Sequence, residues 1–154
     1  MAQPVLHRSA VQRRSTGFSL IELLVATSVS GVLASVAYPG FTGALHKVRR
    51  SEALVALMQV QQAQERFRAD ASRYGSLDEI GVAAAVAGGH YVLDVGSPTA
   101  TGYVATAVAA GAQAGDTACR HMKVSVEAGA WTTASGTSAA ADNGESANRR
   151  CWNQ

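Results

Sequence analysis

The run FSLIELLVATSVSGVLASVAY occupies residues 18–38, and Glu22 is its one group that ionises in the pH range relevant to a membrane. As a helix, these residues at ~1.5 Å each extend about 31 Å, the thickness of a bilayer's hydrocarbon core. His7, Arg8, Arg13 and Arg14 precede the run. Basic residues flanking a span favour the cytoplasm, so the expected topology has a short basic tail inside and a head outside. A plain anchor is one reading. A secretory signal is another, because Ser35-Val36-Ala37 offers small residues suited to cleavage before Tyr38. Glu22 argues against both, since a carboxylate near the start of a span costs roughly 2.5–3.5 kcal/mol on insertion scales. An acid in that position needs a partner.

A third reading supplies one. Gly17-Phe18-Ser19-Leu20-Ile21-Glu22-Leu23-Leu24-Val25-Ala26 resembles the processing motif of type IV prepilins and type II secretion pseudopilins, in which Gly and Phe precede an apolar run carrying Glu. The resemblance implies that prepilin peptidase cuts between Gly17 and Phe18 and methylates the new Phe18 amine. It also implies polymerisation through this helix. A terminal ammonium is as unwelcome in lipid as a carboxylate, so the amine of one copy is expected to neutralise Glu22 of its neighbour and set the register.

Along the same helix Thr27, Gly31 and Ser35 recur every four residues, a small-residue stripe of the kind that lets helices approach closely in lipid. Pro39 follows, with Gly40 and Gly43 nearby, and a bend or local melting is expected over residues 35–43. Pilins resemble this chain in placing a proline where the helix leaves the membrane zone.

Beyond Pro39 a second helical stretch is expected to about Ser72, with Ala53, Leu57, Val60, Phe67, Ala71 and Tyr74 on one face. Glu52, Gln59, Gln62, Arg66 and Arg73 fall on the other. Lys47, Arg49 and Arg50 read as a basic cluster touching headgroups or the acids of neighbouring subunits. Ser76-Leu77-Asp78-Glu79 has a capping-box pattern that predicts a short helix. The Ala-rich stretch from Gly81 to Gly89 suits helix or coil. Alternating runs at 90–95, 102–109 and 121–128, and a weaker one near 131–134, predict an antiparallel meander. Residues 135–148 read as an exposed loop.

Cys119 and Cys151 are the only cysteines, and an even count in an exported protein points to one disulfide. It would close a loop of about thirty residues and stabilise by roughly 3–4 kcal/mol in the chain-entropy model. With two Trp, four Tyr and three Phe, the head has little aromatic core, so such a staple matters. A metal reading of Cys119, His121 and Cys151 has only three ligands and no recognised spacing. Ala114–Cys119 and the terminal Cys151-Trp152 resemble the PilE-type minor pilins of type IVa systems, whose two cysteines bound the so-called D-region.

The formal charge is +2, from 13 basic and 11 acidic residues. Removing residues 1–17 takes away three arginines and no acid, leaving 10 against 11. A general nucleic-acid reading therefore finds no support in charge. Arg120, Lys123, Arg149 and Arg150 are the candidates for DNA contact, and a solvated or subunit-facing patch is the favoured alternative. No phosphate-binding loop, zinc-protease motif or nucleophile elbow occurs, so neither a catalytic residue nor a cofactor is expected.

The expected architecture is α+β with a type IV pilin fold, a long N-terminal helix packed on a three- to four-stranded antiparallel sheet. Its expected parts are a leader (1–17), an assembly and transmembrane helix (18–41) and a head (42–154). Within the head lie a helix (42–72), a connecting loop (73–89), a sheet (90–134) and a D-region (119–151). The implied partners are other pilin subunits, prepilin peptidase and the inner-membrane assembly platform, with nucleic acid disfavoured. The implied location is the inner membrane, then a surface pilus. The implied function is a structural, minor pilus subunit serving assembly, adhesion or twitching motility. A type II secretion pseudopilin and a DNA-binding pilin of the uptake machinery are the alternatives.

Overall fold

The structure, a computed structural model, describes residues 17–141 and 149–152. The leader before Gly17 and residues 142–148 of the expected loop lie outside the described residues. The chain divides into two compact units, Met1–Pro39 and Gly40–Gln154.

Helix α1 runs Leu20–Ala71 without interruption. It replaces the two expected helices and corrects the expected melting near Pro39. The proline lacks one N–H, yet the ladder around it continues as helix. α1 ends where Ser72 turns to φ 53°, while Ser72 N still donates to the Arg68 carbonyl at 3.0 Å. In the first unit every described side chain from Phe18 to Tyr38 is exposed. Among the described residues α1 is the one helix long and apolar enough to cross a membrane.

In the second unit, strands β1 (Tyr91–Gly96), β2 (Gly102–Ala109), β3 (His121–Glu127) and β4 (Ala130–Gly136) pair antiparallel in the order β1-β2-β3-β4. The expected meander is thus a four-stranded sheet, and its weakest run is a full strand. β3 and β4 are joined by Ala128 (φ 50°) and Gly129 (φ 84°). Two left-handed central residues match the right-handed twist of a two-residue hairpin. Gly102 is fixed by close approach, since a Cβ there would lie 2.3 Å from the Val126 carbonyl oxygen. The segment before β1, with no predicted structure, bridges Ala85 to Val92 and covers that edge of the sheet.

Strand alternation puts Tyr91 and Leu93, then Tyr103, Ala105, Ala107 and Ala109, then Met122 and Val124 on the inner face, all buried. Against it α1 buries Ala53, Ala56, Leu57, Val60 and Ala63. Alanine on both surfaces brings helix and sheet close, and three tyrosines fill what the alanines leave. Tyr74 and Tyr103 meet with ring centroids 4.8 Å apart at 54°. Burial raises the Tyr103 hydroxyl to a pKa of about 12. Phe67 is only half-buried and Ala71 is exposed, correcting their expected core placement.

Tyr74 lies beyond the helix, where buried Gln64 pairs both amide atoms with the backbone of Gly75, at 2.6 and 2.9 Å. The Ser76–Glu79 box forms as read, with Ser76 N to Glu79 Oε2 at 2.8 Å and Glu79 N to Ser76 Oγ at 3.4 Å. It caps a turn and not the expected helix.

Candidate functional site

At the start of α1 a second capping box forms. Ser19 N donates to Glu22 Oε2 at 2.8 Å, and Glu22 N donates to Ser19 Oγ at 3.3 Å. Two N–H groups that a helix start leaves unsatisfied are thereby paired, and the carboxylate sits at the positive end of the helix dipole. The Ser-x-x-Glu signal is the same one present at Ser76, here lying at the head of the apolar run. Glu22 Oε1 makes no hydrogen bond among the described residues, so the local cap leaves an acceptor for a partner.

Phe18 is 85% exposed, and Gly17, Thr27, Gly31 and Ser35 are exposed as well. Thr27 Oγ1 donates to the carbonyls of Leu23 and Leu24 at 2.9 and 3.0 Å, and Ser35 Oγ to that of Val32 at 2.7 Å. Hydroxyls folded onto their own helix present no unpaired donor to hydrocarbon. A Cβ at Gly31 would meet nothing within 4 Å. The stripe is therefore smooth, apolar and uncovered in the single chain.

In the head, Cys119 and Cys151 form the expected disulfide, both fully buried, with Cα atoms 5.5 Å apart. The bond occupies both thiolates and so removes them from the metal set considered with His121. Burial, followed by the charges of Arg120 and Lys123, lowers the pKa of His121.

Beside the bridge lies a polar clasp that sequence reasoning missed. Arg50 Nε and Nη2 donate to Asp116 Oδ2 and Oδ1 at 2.6 and 2.8 Å, and Arg50 Nη1 donates to the Arg150 carbonyl at 3.0 Å. Arg50 is 9% exposed and Asp116 6%. The Asp116 hydrogen bond raises the Arg50 pKa against the opposing effect of burial. Gln113 Nε2 donates to Asp116 Oδ2 at 3.1 Å, Tyr91 Oη at 3.1 Å and the His46 carbonyl at 3.3 Å. The clasp thus ties α1 to β1, to the two short 3-10 turns Gly111–Gly115 and Thr117–Cys119, and to the C-terminal segment. Arg50 was expected in an exposed basic cluster, and the structure corrects that placement. A 66-residue separation between Arg50 and Asp116 left no local signal.

Two of the candidate DNA-contacting cations are bonded to backbone carbonyls of the head. Arg120 donates twice to the Ala114 carbonyl, at 3.1 and 2.9 Å, and Lys123 Nζ to that of Ala139 at 3.4 Å. Arg149 and Arg150 are exposed and adjoin bridged Cys151.

Comparison with known proteins gives two family matches. The prokaryotic N-terminal methylation motif matches residues 12–38. The family described as type IV minor pilin ComP, DNA uptake sequence receptor, matches residues 39–123, more than half of the chain. Relatives include the type IV major pilin protein PilA of Myxococcus xanthus (strain DK1622), 37% identical over 71 residues, covering 46% of this chain and 32% of that protein. Type II secretion system core protein G of Pectobacterium carotovorum subsp. carotovorum is 32% identical over 66 residues, covering 43% and 42%. Its namesake in Vibrio cholerae serotype O1 is 31% identical over 67 residues, covering 44% and 46%. The chain therefore spans about a third to a half of the length of these relatives. The methylation motif, the α+β fold of α1 over a four-stranded antiparallel sheet with its bridge, and the minor-pilin match together place this chain in the type IV pilin family of structural, non-enzymatic subunits, among the ComP-type minor pilins.

Proposed function

We propose that this chain is a minor structural subunit of a type IV pilus. Prepilin peptidase removes residues 1–17 by cutting between Gly17 and Phe18, and the Phe18 amine is methylated. The segment 18–41 holds the subunit in the inner membrane with its N-terminus cytoplasmic until the assembly platform draws it into a filament of other pilin subunits. Glu22 receives the Phe18 amine of a neighbour, while Thr27, Gly31 and Ser35 let adjacent helices pack closely. Pro39 marks the exit from the membrane. The head, 42–154, with its bridge-bounded region 119–151, is then displayed at the cell surface.

The observation that carries this reading is the helix start. An apolar stretch with no buried side chain begins at a capped carboxylate with one oxygen to spare. N-terminal mass spectrometry of sheared filaments is expected to give methylated Phe18. A mature start at Tyr38 would contradict it. Glu22→Ala is expected to be processed yet depleted from filaments, and equal incorporation removes the pairing.

Two other readings have specific support. The match to a family described as a DNA uptake sequence receptor, with exposed Arg149 and Arg150 beside the bridge, favours DNA contact by the head. Arg149→Ala/Arg150→Ala with unchanged affinity and salt slope sinks it. The relatives named type II secretion system core protein G favour a pseudopilin. Loss of secretion without loss of pili in a deletion strain would establish that role in place of the pilus one.

A further inference from the structure

A cleft of about 700 Å³ opens in the head between α1 and the end of the β3–β4 hairpin, and Trp131 on its wall is 63% exposed. Tyr74, Tyr91 and Tyr103 of the head are buried, whereas the Trp131 indole keeps a face available to a ligand. Around it, α1 supplies Gln61, Gln62, Glu65 and Arg66 from successive turns, giving two amides, a carboxylate and a guanidinium. The two glutamines and Arg66 make no hydrogen bond or ion pair among the described residues. Glu65 accepts only the long 3.4 Å contact from Tyr74 Oη.

From this set we propose that the cleft binds carbohydrate, with a neutral hexopyranose stacked on Trp131 and its hydroxyls held by Gln61, Gln62, Glu65 and Arg66. The apolar C–H face of a pyranose meets the negative face of an indole, and planar amides and carboxylates bridge neighbouring hydroxyls with paired donors and acceptors. A polyanion fits less well. The other cation of the cleft, Arg68, is already committed, donating to Tyr74 Oη at 2.9 Å with its guanidinium 5.1 Å from the Tyr74 ring centroid. Arg66 is then the one uncommitted cation. With Arg66 and Arg68 set against Glu65 the lining carries a single net positive charge, little to hold the row of phosphates of a polyanion, whereas a polyol needs none. The inference concerns the head alone and stands whether or not the filament reading holds.

The test uses the full chain in detergent micelles, titrated to 50 mM with glucose, galactose, mannose, N-acetylglucosamine and their β-linked disaccharides. Tryptophan emission and sugar NMR line broadening are read, with a twelve-residue oligothymidine as a separate arm. The expected result is saturable binding of at least one sugar, weakened about tenfold or more by Trp131→Ala and weakened also by Gln62→Ala, with the thermal midpoint unchanged. Because Trp131 is so exposed, its removal leaves the fold intact. Gln62→Ala, on the solvent side of α1, serves as the second variant. No saturable sugar signal, binding by both variants equal to that of the unaltered protein, or a signal from the oligothymidine alone each overturns the proposal.

Discussion

Asp116→Ala is expected to unfold the head far more readily than its single lost side chain suggests. In the native head the carboxylate receives both Arg50 nitrogens, at 2.6 and 2.8 Å, and the Gln113 amide at 3.1 Å. Removing it leaves the buried guanidinium one hydrogen bond, to the Arg150 carbonyl. A buried pair broken from one side costs about 3–5 kcal/mol, because the surviving charge is left desolvated without compensation. A head of this size has about 5–15 kcal/mol in total. At roughly 4 °C or more per kcal/mol, the thermal midpoint drops by at least about 10 °C. Arg50→Ala lands in the same range, since Asp116 then keeps only the neutral Gln113 donor. Asp116→Asn, which retains an acceptor, falls between, and Arg50→Met/Asp116→Leu costs less than either single change because no charge is stranded.

The assay is thermal unfolding of the full chain in detergent, followed by tryptophan emission. Trp131 and Trp152 both belong to the second unit, so the signal reports the head and not the apolar first unit. Raising salt from 0.1 to 1 M shortens the screening length from about 10 to 3 Å and is expected to leave the Asp116→Ala deficit unchanged. A midpoint shift under 2 °C refutes the reasoning, since the pair would then be solvated in solution.

The bridge anchors the same segment from the other side. Cys119→Ser/Cys151→Ser is expected to lose about 3–4 kcal/mol in denaturant titration by loop entropy, with less than additive loss when Asp116→Ala is combined with it. A fully additive double variant would separate the two anchors. The exposed Arg73–Glu79 pair, 2.6 Å apart, gives a pH dependence of definite sign. The Arg73 hydrogen bond, then the Ser76 N–H, holds the Glu79 pKa down from 4.5 to about 2. A depressed carboxylate contributes stability that is present above its unfolded pKa and lost as pH falls through the folded one. Glu79→Gln should therefore flatten the acid limb of head stability between about pH 4.5 and 2. An identical acid limb in wild type and variant counts against it, as does insensitivity of the difference to salt.

What the sequence disclosed and what it hid divide by range. The apolar run, the strand alternation and both Ser-x-x-Glu boxes are local patterns, and local backbone physics writes them within a few residues. Even so, the box is plain at Ser76 and masked at Ser19, where the apolar run dominates the pattern. The face of α1 was legible where alanine and leucine repeat, at Ala53, Leu57 and Val60, and misread at Phe67 and Ala71. There the sheet no longer lies beneath the helix, and periodicity cannot report where a packing partner ends. In the sequence Arg50 reads as part of a basic cluster, and nothing local marks Gln113 or Asp116 as its partners. Their meaning exists only once Tyr91 and the C-terminal segment converge on them. Trp131 reads as a strand residue, and strand alternation alone does not disclose that its indole stays exposed beside α1.

In the proposed filament, Glu22 would serve two structures with one carboxylate. Before assembly, the Ser19 N–H and the helix dipole stabilise the charge without any second subunit, which lowers the cost of holding an acid at the edge of hydrocarbon. The cap engages Oε2 and leaves Oε1 free of hydrogen bonds among the described residues, so a neighbour's ammonium can be received without dismantling the cap. A carboxylate already fixed in one rotamer loses less entropy on meeting that ammonium than a free side chain would. Under the proposed pairing with a neighbour's Phe18 amine, the Ser19 box makes the subunit tolerable alone and ready for that contact, and the register of the filament would follow from where on the helix that oxygen is held.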